Sequence, residues 1–424
     1  MKETEMVSRT PKTCLITGHG PWKVAIGNLF LGDACRAYPA ERLIRISLCP
    51  LPKIEKSADW LSFKGYALPA PREEGIRRLG PIVERFTARA LFLYALRVHL
   101  PRVARKIRTI VSQNGTEQLW ITLNTPSAII LAEILDSQVD IPLKCTVWDP
   151  PQTLCHNAGL PTGVEAAVLK AFGNCIRNAV AVTVASEPMR DHYRTLYGKE
   201  SLVWIHATPE HAISSPMPRL KKQGHIRIVF AGSLYARDEF ESFCDALESI
   251  NWRIGELVVT LHVFGPTLPQ HQQNEHIVIE GWCAPEDLTR RLSSFDIGYL
   301  PYWFDQRYTT SVKYCFPSKL STYLSSGLRV FYHGPYDSSP RIFLNEYPVG
   351  VACHSLGAEE ILQKLENMVL DRSFFSRTQD AISRALSERL GPSVFAQTCS
   401  EFIELPDAFG PTVKTPRPTP SFRS

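Results

Sequence analysis

The stretch Cys315–Gly327, CFPSKLSTYLSSG, puts one residue where a local charge rule is broken. Pro317 suits the first turn of a helix, where its missing N–H has no intrahelical partner. Leu320, Tyr323 and Leu324 recur at helical spacing and predict one buried face. Gly327 stands where a left-handed C-terminal cap is wanted. Lys319 then falls in the first turn, at the positive end of the helix dipole. An exposed cation there is disfavoured by roughly 0.3–1 kcal/mol. A bound anion reverses the sign, because the amino end of a helix offers free N–H groups and a favourable dipole. The alternative is a solvated lysine whose stem covers apolar surface.

The elements that must position this helix alternate between strand and helix. TCLITGHG reads as a buried strand ending in glycines, followed by the helix-like NLFLGDACRAY and the strand RLIRISL. Residues 50–71 are proline-rich and predict a loop, and 72–113 predict helix interrupted near Pro81 and Pro101. LWITLN, KCTVWDPPQ, AVAVTVAS and SLVWIHA predict further strands, with helices between them. The polar, basic stretch TPEHAISSPMPRLKKQGH breaks the pattern and predicts a linker. Alternation restarts at IRIVFAGSL and runs through LVVTLHVFGP, HIVIEGW, FDIGYLPY, LRVFYHG and GVACHSL. Strands apolar on both faces imply parallel sheets covered on both sides.

The expected fold class is α/β, with two Rossmann-like doubly wound domains facing a central cleft. The first domain spans 1–208, a linker 209–224 and the second domain 225–372. A helical segment covers 373–405, and 406–424 form a disordered tail. Ligands of such sheets bind beyond the carboxyl ends of the strands.

Charge and cysteine usage exclude several classes. The 424 residues carry 47 Lys and Arg against 42 Asp and Glu, a net +5. That excess is too weak to imply nucleic acid. Eleven cysteines contain no C-x-x-C pair, so no zinc site is expected. Their odd number, with a polar amino terminus lacking an apolar export segment, fits a reducing cytoplasm. No apolar run of about 18 residues predicts a membrane span. Segment 72–110 stands apart: nine arginines and Lys106 against three glutamates give a local +7. It predicts either a solvated helix face or a basic amphipathic helix on anionic lipid.

From Ile226 to Val351 the ordered set IRIVFAGSL, VFGP, VIEGW…LSSFDIGYLPY, FPSKLSTYLSSGLRVFYHG and GVACHSLGAEEI resembles the group-one glycosyltransferases of GT-B fold, which are retaining and use nucleotide sugars. The amino half is similar only in pattern, through TGHG, TVWDP and VTVASEPMRDHYRTLYG. The resemblance implies that the second domain binds the donor and the first presents the acceptor. It implies a diphosphate on the FPSKL helix, near Pro317 and Ser318. Lys319 would neutralise the leaving group, and Arg237 would add a second cation. Gly232, Ser233 and Gly265 would shape the donor loops, and Trp282 and Cys283 would cradle the base. Gly18 and Gly20 would let the first-domain loop approach the sugar or the diphosphate.

The sequence departs from the family at three positions. The family often carries two glutamates eight positions apart around the helix, where this chain has Tyr314 and Thr322. It often has a histidine where this chain has Trp148. Asp149 is the substitute candidate for contacting the sugar or acceptor, although its place before Pro150 also suits a turn. Arg237 has the alternative of a surface ion pair with Asp238 or Glu239, and Trp282 that of packing. GHGPWK fails the dinucleotide fingerprint at Lys23.

The expected function is transfer of a sugar from a nucleotide-sugar donor to a glycan or lipid-linked acceptor, with retention. The setting would be polysaccharide biosynthesis, cytoplasmic and peripheral to the membrane. No D-x-D occurs and no metal is expected, nor any cofactor beyond the nucleotide-sugar co-substrate. Two rivals remain at this level: a non-catalytic GT-B-like binding protein, and another GT-B enzyme such as a nucleotide-sugar epimerase.

Overall fold

A computed structural model describes residues 10–18, 26–49, 63–71, 81–208, 213–215, 223–265, 274–371 and 373–404. Gly20, residues 72–80, most of the linker 209–224 and the tail 406–424 lie outside these residues. The chain divides into two compact units, residues 1–204 with 396–424 and residues 205–395.

The first unit is built on seven strands among its described residues: β1 (Thr13–Thr17), β2 (Leu43–Cys49), β3 (Lys64–Pro69), β4 (Gln118–Thr122), β5 (Leu143–Val147), β6 (Ala181–Val184) and β7 (Leu202–Val203). Their order is β3-β2-β1-β4-β5-β6-β7, with every pair parallel. The helices are α1 (Ile26–Arg36), α2 (Pro81–Tyr94), α3 (Leu100–Gln113), α4 (Pro126–Gln138), α5 (Pro151–Asn157), α6 (Thr162–Asn178) and α7 (Glu187–Tyr197). β1, β2, β4 and β5 are buried along their whole length, as strands of a sheet covered on both faces must be.

Two expectations are corrected here. Segment 50–71 contains β3, which pairs only with β2 at the sheet edge. Its Pro69 is tolerated there because an edge strand has donors to spare. Pro101 does not break its helix. The preceding turn, Ala95–His99, widens to π geometry, and α2 and α3 run on through it. Such a bulge accommodates the carbonyl that a proline ring would otherwise strike.

The second unit repeats the plan with β8 (His225–Ala231), β9 (Arg253–Ile254), β10 (Leu257–Phe264), β11 (Ile277–Gly281), β12 (Ile297–Pro301), β13 (Arg329–His333) and β14 (Gly350–Cys353). The order is β11-β10-β8-β12-β13-β14, parallel throughout, while the two-residue β9 pairs antiparallel with β10. Around it lie α8 (Arg237–Ser249), α9 (Pro285–Leu292), α10 (Thr309–Tyr314), α11 (Ser318–Ser325), α12 (Ser339–Glu346), α13 (Ala358–Leu370) and α14 (Phe374–Ala385). Alternate residues of β8 feed separate cores: Ile226, Ile228 and Phe230 join Phe243 and Tyr299, whereas Val229 and Ala231 join Leu320, Tyr323 and Leu324. The period of two puts these cores on opposite faces. Tyr323 also fixes α11 to the sheet, since its hydroxyl accepts from the Ala231 N–H at 2.9 Å and donates to the Tyr299 carbonyl at 3.1 Å.

The final helix, α15 (Pro392–Glu404), carries the chain back, so segment 373–405 is shared between the units. Phe402 packs on Trp120 at 5.3 Å and Trp204 at 5.4 Å. The buried Lys144 of β5 donates to the carbonyls of Phe402 at 2.6 Å and Ile403 at 3.0 Å. Burial pulls its ammonium down to about 8. The first unit therefore folds around a plug from the far end of the chain. Phe402→Ala should cost about 3–5 kcal/mol, read in calorimetry as a lower melting temperature for the first unit with the second unit's transition unchanged.

Candidate functional site

Chain order in the second sheet reverses between β8 and β12, and ligands of open α/β sheets bind beyond the carboxyl ends of strands at such a point. Three adjacent strands end there in left-handed glycines: Gly232 (φ +100) after β8, Gly265 (φ +134) after β10 and Gly281 (φ +74) closing β11. The Gly232 N–H donates to the Phe264 carbonyl at 2.8 Å, and the Gly265 N–H to the Gly281 carbonyl at 3.0 Å. A Cβ on Gly265 would sit 2.6 Å from the Gly232 carbonyl oxygen. Glycine here serves both the positive φ and the close backbone approach.

Lys319 lies over this backbone. A Cβ on Gly232 would meet its Cε at 3.3 Å and its Nζ at 3.4 Å. Nζ donates to the Ser233 carbonyl at 3.3 Å and lies 4.2 Å from the Tyr235 ring centroid and 5.4 Å from that of Phe230. The side chain keeps part of its surface open, yet burial of the ammonium among these groups pulls its pKa down to about 7. No carboxylate contributes to that balance. Helix α11 carries no side-chain cap, because Pro317 occupies the N-cap position rather than the first turn. The first amides, Ser318 and Lys319, thus lack the hydroxyl or carboxylate that commonly serves such groups. The other end follows expectation: Leu320, Tyr323 and Leu324 are fully buried, and Gly327 (φ +73) closes the helix.

Gly232, Ser233, Gly265, Pro317, Ser318 and Lys319 are thereby gathered at one edge of one sheet. Arg237 opens α8, four residues beyond Ser233. It is exposed and makes no ion pair with Asp238 or Glu239. Trp282 is 70% exposed beyond the end of β11, which rules out a packing role. Cys283 is half-buried against the core and donates to the Ala284 carbonyl at 3.5 Å. Thr322 turns its hydroxyl back to the Ser318 carbonyl at 3.2 Å, so only acceptor capacity is left for a ligand. Gly18 and Asp149 belong to the first unit, after β1 and β5. A Cβ on Gly18 would lie 3.2 Å from Asn124 Oδ1. Asp149 is half-buried and engaged. Trp148 packs edge-on against Phe30 at 5.3 Å, a core role.

Sequence reasoning missed the aromatic wall and its anchor. Trp303 donates from Nε1 to the Tyr235 carbonyl at 2.8 Å and lies against the Tyr235 ring at 4.5 Å. The buried Glu239 accepts from the Phe304 N–H at 2.6 Å. Burial pushes the Glu239 carboxyl up. These contacts clamp the loop after β12 onto the loop after β8. The only advance signal was the aromatic run YLPYWF at a strand end.

Residues 228–386 match the family model of the glucosyltransferase 3-like C-terminal domain. The fold of the chain is similar to that of solved GT-B structures. One is a sucrose-phosphate synthase from Thermosynechococcus elongatus (TM-score 0.62, 11% identity, 92% of this chain and 98% of that one). A second is Anabaena HepE in complex with UDP and glucose (0.60, 13%, 92% and 98%). A third is an α,α-trehalose 6-phosphate synthase from Burkholderia multivorans (0.62, 10%, 93% and 98%). The chain has the GT-B fold, and its second unit carries a glucosyltransferase 3-like C-terminal domain. No curated protein matches it in sequence. Among the described residues no group of three or more His, Cys, Asp or Glu is placed to hold a metal ion. None of the described helices is long and apolar enough to cross a membrane.

Two outcomes follow from this geometry. Gly265→Ala should abolish UDP binding, measured by calorimetric titration, because its methyl group strikes the Gly232 carbonyl and displaces the turn under Lys319. For Lys319 the sign runs with pH. An unfolded lysine titrates near 10.4, whereas Lys319 titrates near 7 when folded. The unfolded state therefore binds more protons between those values, and this group makes stability rise with pH across them. Lys319→Met should remove that slope and raise the melting temperature at pH 7. In the unmodified protein, UDP affinity should be full below pH 7 and decline above it, with proton uptake on binding at pH 8.

Proposed function

We propose that the chain is a glycosyltransferase that takes its sugar from a nucleotide-sugar donor bound at the β8–β12 end of the second unit. The acceptor is a glycan or a lipid-linked saccharide, and the anomeric configuration is retained. The observation that carries this reading is Lys319, a cation at an uncapped helix start, set over Gly232 with no anion beside it. A diphosphate completes that arrangement. It takes the free amides of Ser318 and Lys319 and restores the charge of the ammonium. As the glycosidic bond breaks, negative charge grows on the leaving diphosphate, and Lys319, with Arg237 as a second cation, would oppose it. Trp282 offers its face to the base. HepE, of the same fold, is described in complex with UDP and glucose, which makes UDP-glucose the first donor to test. Asp149 and Gly18, at the ends of β5 and β1, are the first unit's own candidates for contacting an acceptor. The reaction needs no cofactor of its own beyond the co-substrate.

The basic segment suits a cytoplasmic enzyme held at an anionic surface, with one change from the sequence expectation. The apolar face of α3 (Leu100, Val103, Ala104, Ile107, Ile110, Val111) is buried within its own unit, so it cannot insert into lipid. What it presents is charge: Arg102, Arg105, Lys106 and Arg108 are exposed on a helix without a single acid. Near anionic lipid each contributes about 1 kcal/mol. Phe86 and Tyr94 on α2 are exposed as well.

Incubation with UDP-, GDP- and ADP-glucose plus a saccharide acceptor should release the nucleoside diphosphate from one donor, with turnover reduced at least 100-fold in Lys319→Met. Proton NMR of the product should show the donor's anomeric configuration. Absence of binding to all three nucleotides would refute the reading. On vesicles containing phosphatidylglycerol, binding should fall as salt rises and drop when Arg102, Arg105 and Arg108 are changed to Gln. Equal binding to neutral vesicles would exclude the electrostatic surface.

A further inference from the structure

A second cationic group stands on the same edge of the second sheet, after β13 and β14, and the donor reading does not use it. Gly334 follows β13, and its carbonyl lies 2.8 Å from His354 Nδ1. A carbonyl only accepts, so Nδ1 carries the proton and Nε2 is left as an acceptor. Arg341, in the first turn of α12, donates to that Nε2 from its Nε at 3.2 Å. The guanidinium is thus pinned by its inner nitrogen, and its outer Nη edge has no partner among the described residues. It lies over the Tyr336 ring, 5.3 Å from the centroid, and that ring stands edge-on to His354 at 5.3 Å. Tyr336 is 66% exposed.

Two carboxylates are close in sequence, and each is already engaged. Asp337 pairs with Lys313 at 2.6 Å, and Glu360 accepts from the His354 N–H at 3.2 Å. A planar fork fixed in orientation and open at its outer edge fits a carboxylate or phosphate with two parallel bonds. The tyrosine face beside it fits the C–H face of a pyranose. β8 and β13 are two positions apart in the sheet, so their carboxyl ends lie about 10 Å apart along the edge. That separation of strand ends leaves room for a second ligand beside the first.

We propose that Arg341, positioned by His354 and flanked by Tyr336, is an acceptor subsite that selects an acidic saccharide, one bearing a carboxylate or a phosphate. The assignment to the acceptor rests on the donor reading above; the binding itself does not. The test is calorimetric titration of the full chain with glucose, glucuronate, glucose 6-phosphate and, separately, UDP. At least one acidic sugar should bind ten-fold or more tightly than glucose, and the stronger of the two identifies the anion. Arg341→Gln and Arg341→Lys should both remove the preference while leaving UDP affinity and melting temperature unchanged. Tyr336→Ala should weaken all three sugars. Equal affinity for acidic and neutral sugars, or a preference that survives Arg341→Gln, would overturn the subsite. If UDP fails to bind while the acidic preference stands, the donor reading falls and the subsite does not.

Discussion

The second unit is organised around a charge that its own fold leaves unbalanced. Lys319 sits at the positive end of α11, with its ammonium over two aromatic rings and one carbonyl. Helix dipole and burial both act against its charged form, and no carboxylate opposes them. A protein selected for stability alone would place an acid or a neutral residue there. Under the proposed donor reading, the lysine trades folded stability for affinity toward an anion, a common arrangement where a site must be complementary to its ligand rather than to itself.

Topology explains why this happens at one edge. In a parallel sheet each connecting helix starts near the carboxyl end of the strand before it, so helix amino ends collect there. Three of them carry a cation in the first turn, Arg237 on α8, Lys319 on α11 and Arg341 on α12, and only α8 also holds acids there, Asp238 and Glu239. Helix α13 starts with Glu359 and Glu360, as an ordinary helix does, so the unopposed cations are those of α11 and α12. The positive edge is therefore partly a product of the fold and partly of residue choice. The clamp of Trp303 and Glu239 onto the β8 loop holds that edge in shape.

Buried cations also have a structural use in this chain. Lys144 donates to carbonyls of α15, and Arg329 of β13 donates to the Phe375 carbonyl and to Thr378 Oγ1 in α14. In each unit one strand cation fastens a C-terminal helix through backbone acceptors rather than through a carboxylate. Burial lowers both groups, to about 8 and about 10. Hydrogen bonds to carbonyls recover part of the desolvation cost, and the chain ends become part of the cores.

Much of the architecture was readable in the linear chain. Alternating apolar runs and amphipathic helices required two parallel sheets. The spacing of Leu320, Tyr323 and Leu324 with Gly327 gave α11 its buried face and its end, and Lys319 was visible as a residue out of place. These are local properties, set by period, turn chemistry and dipole within a few residues. The edge strand β3 was hidden, because a proline-rich strand pairing on one side lacks the full apolar pattern. So was the passage of α2 into α3 through Pro101, which depends on a π turn. Tertiary structure alone decided which residues meet: that Gly265 presses on Gly232, that Lys319 lies over Gly232, that Glu239 holds Phe304, and that Phe402 returns to Trp120. Those contacts join residues far apart in sequence, and their positions follow from strand order and packing density, which no local pattern encodes.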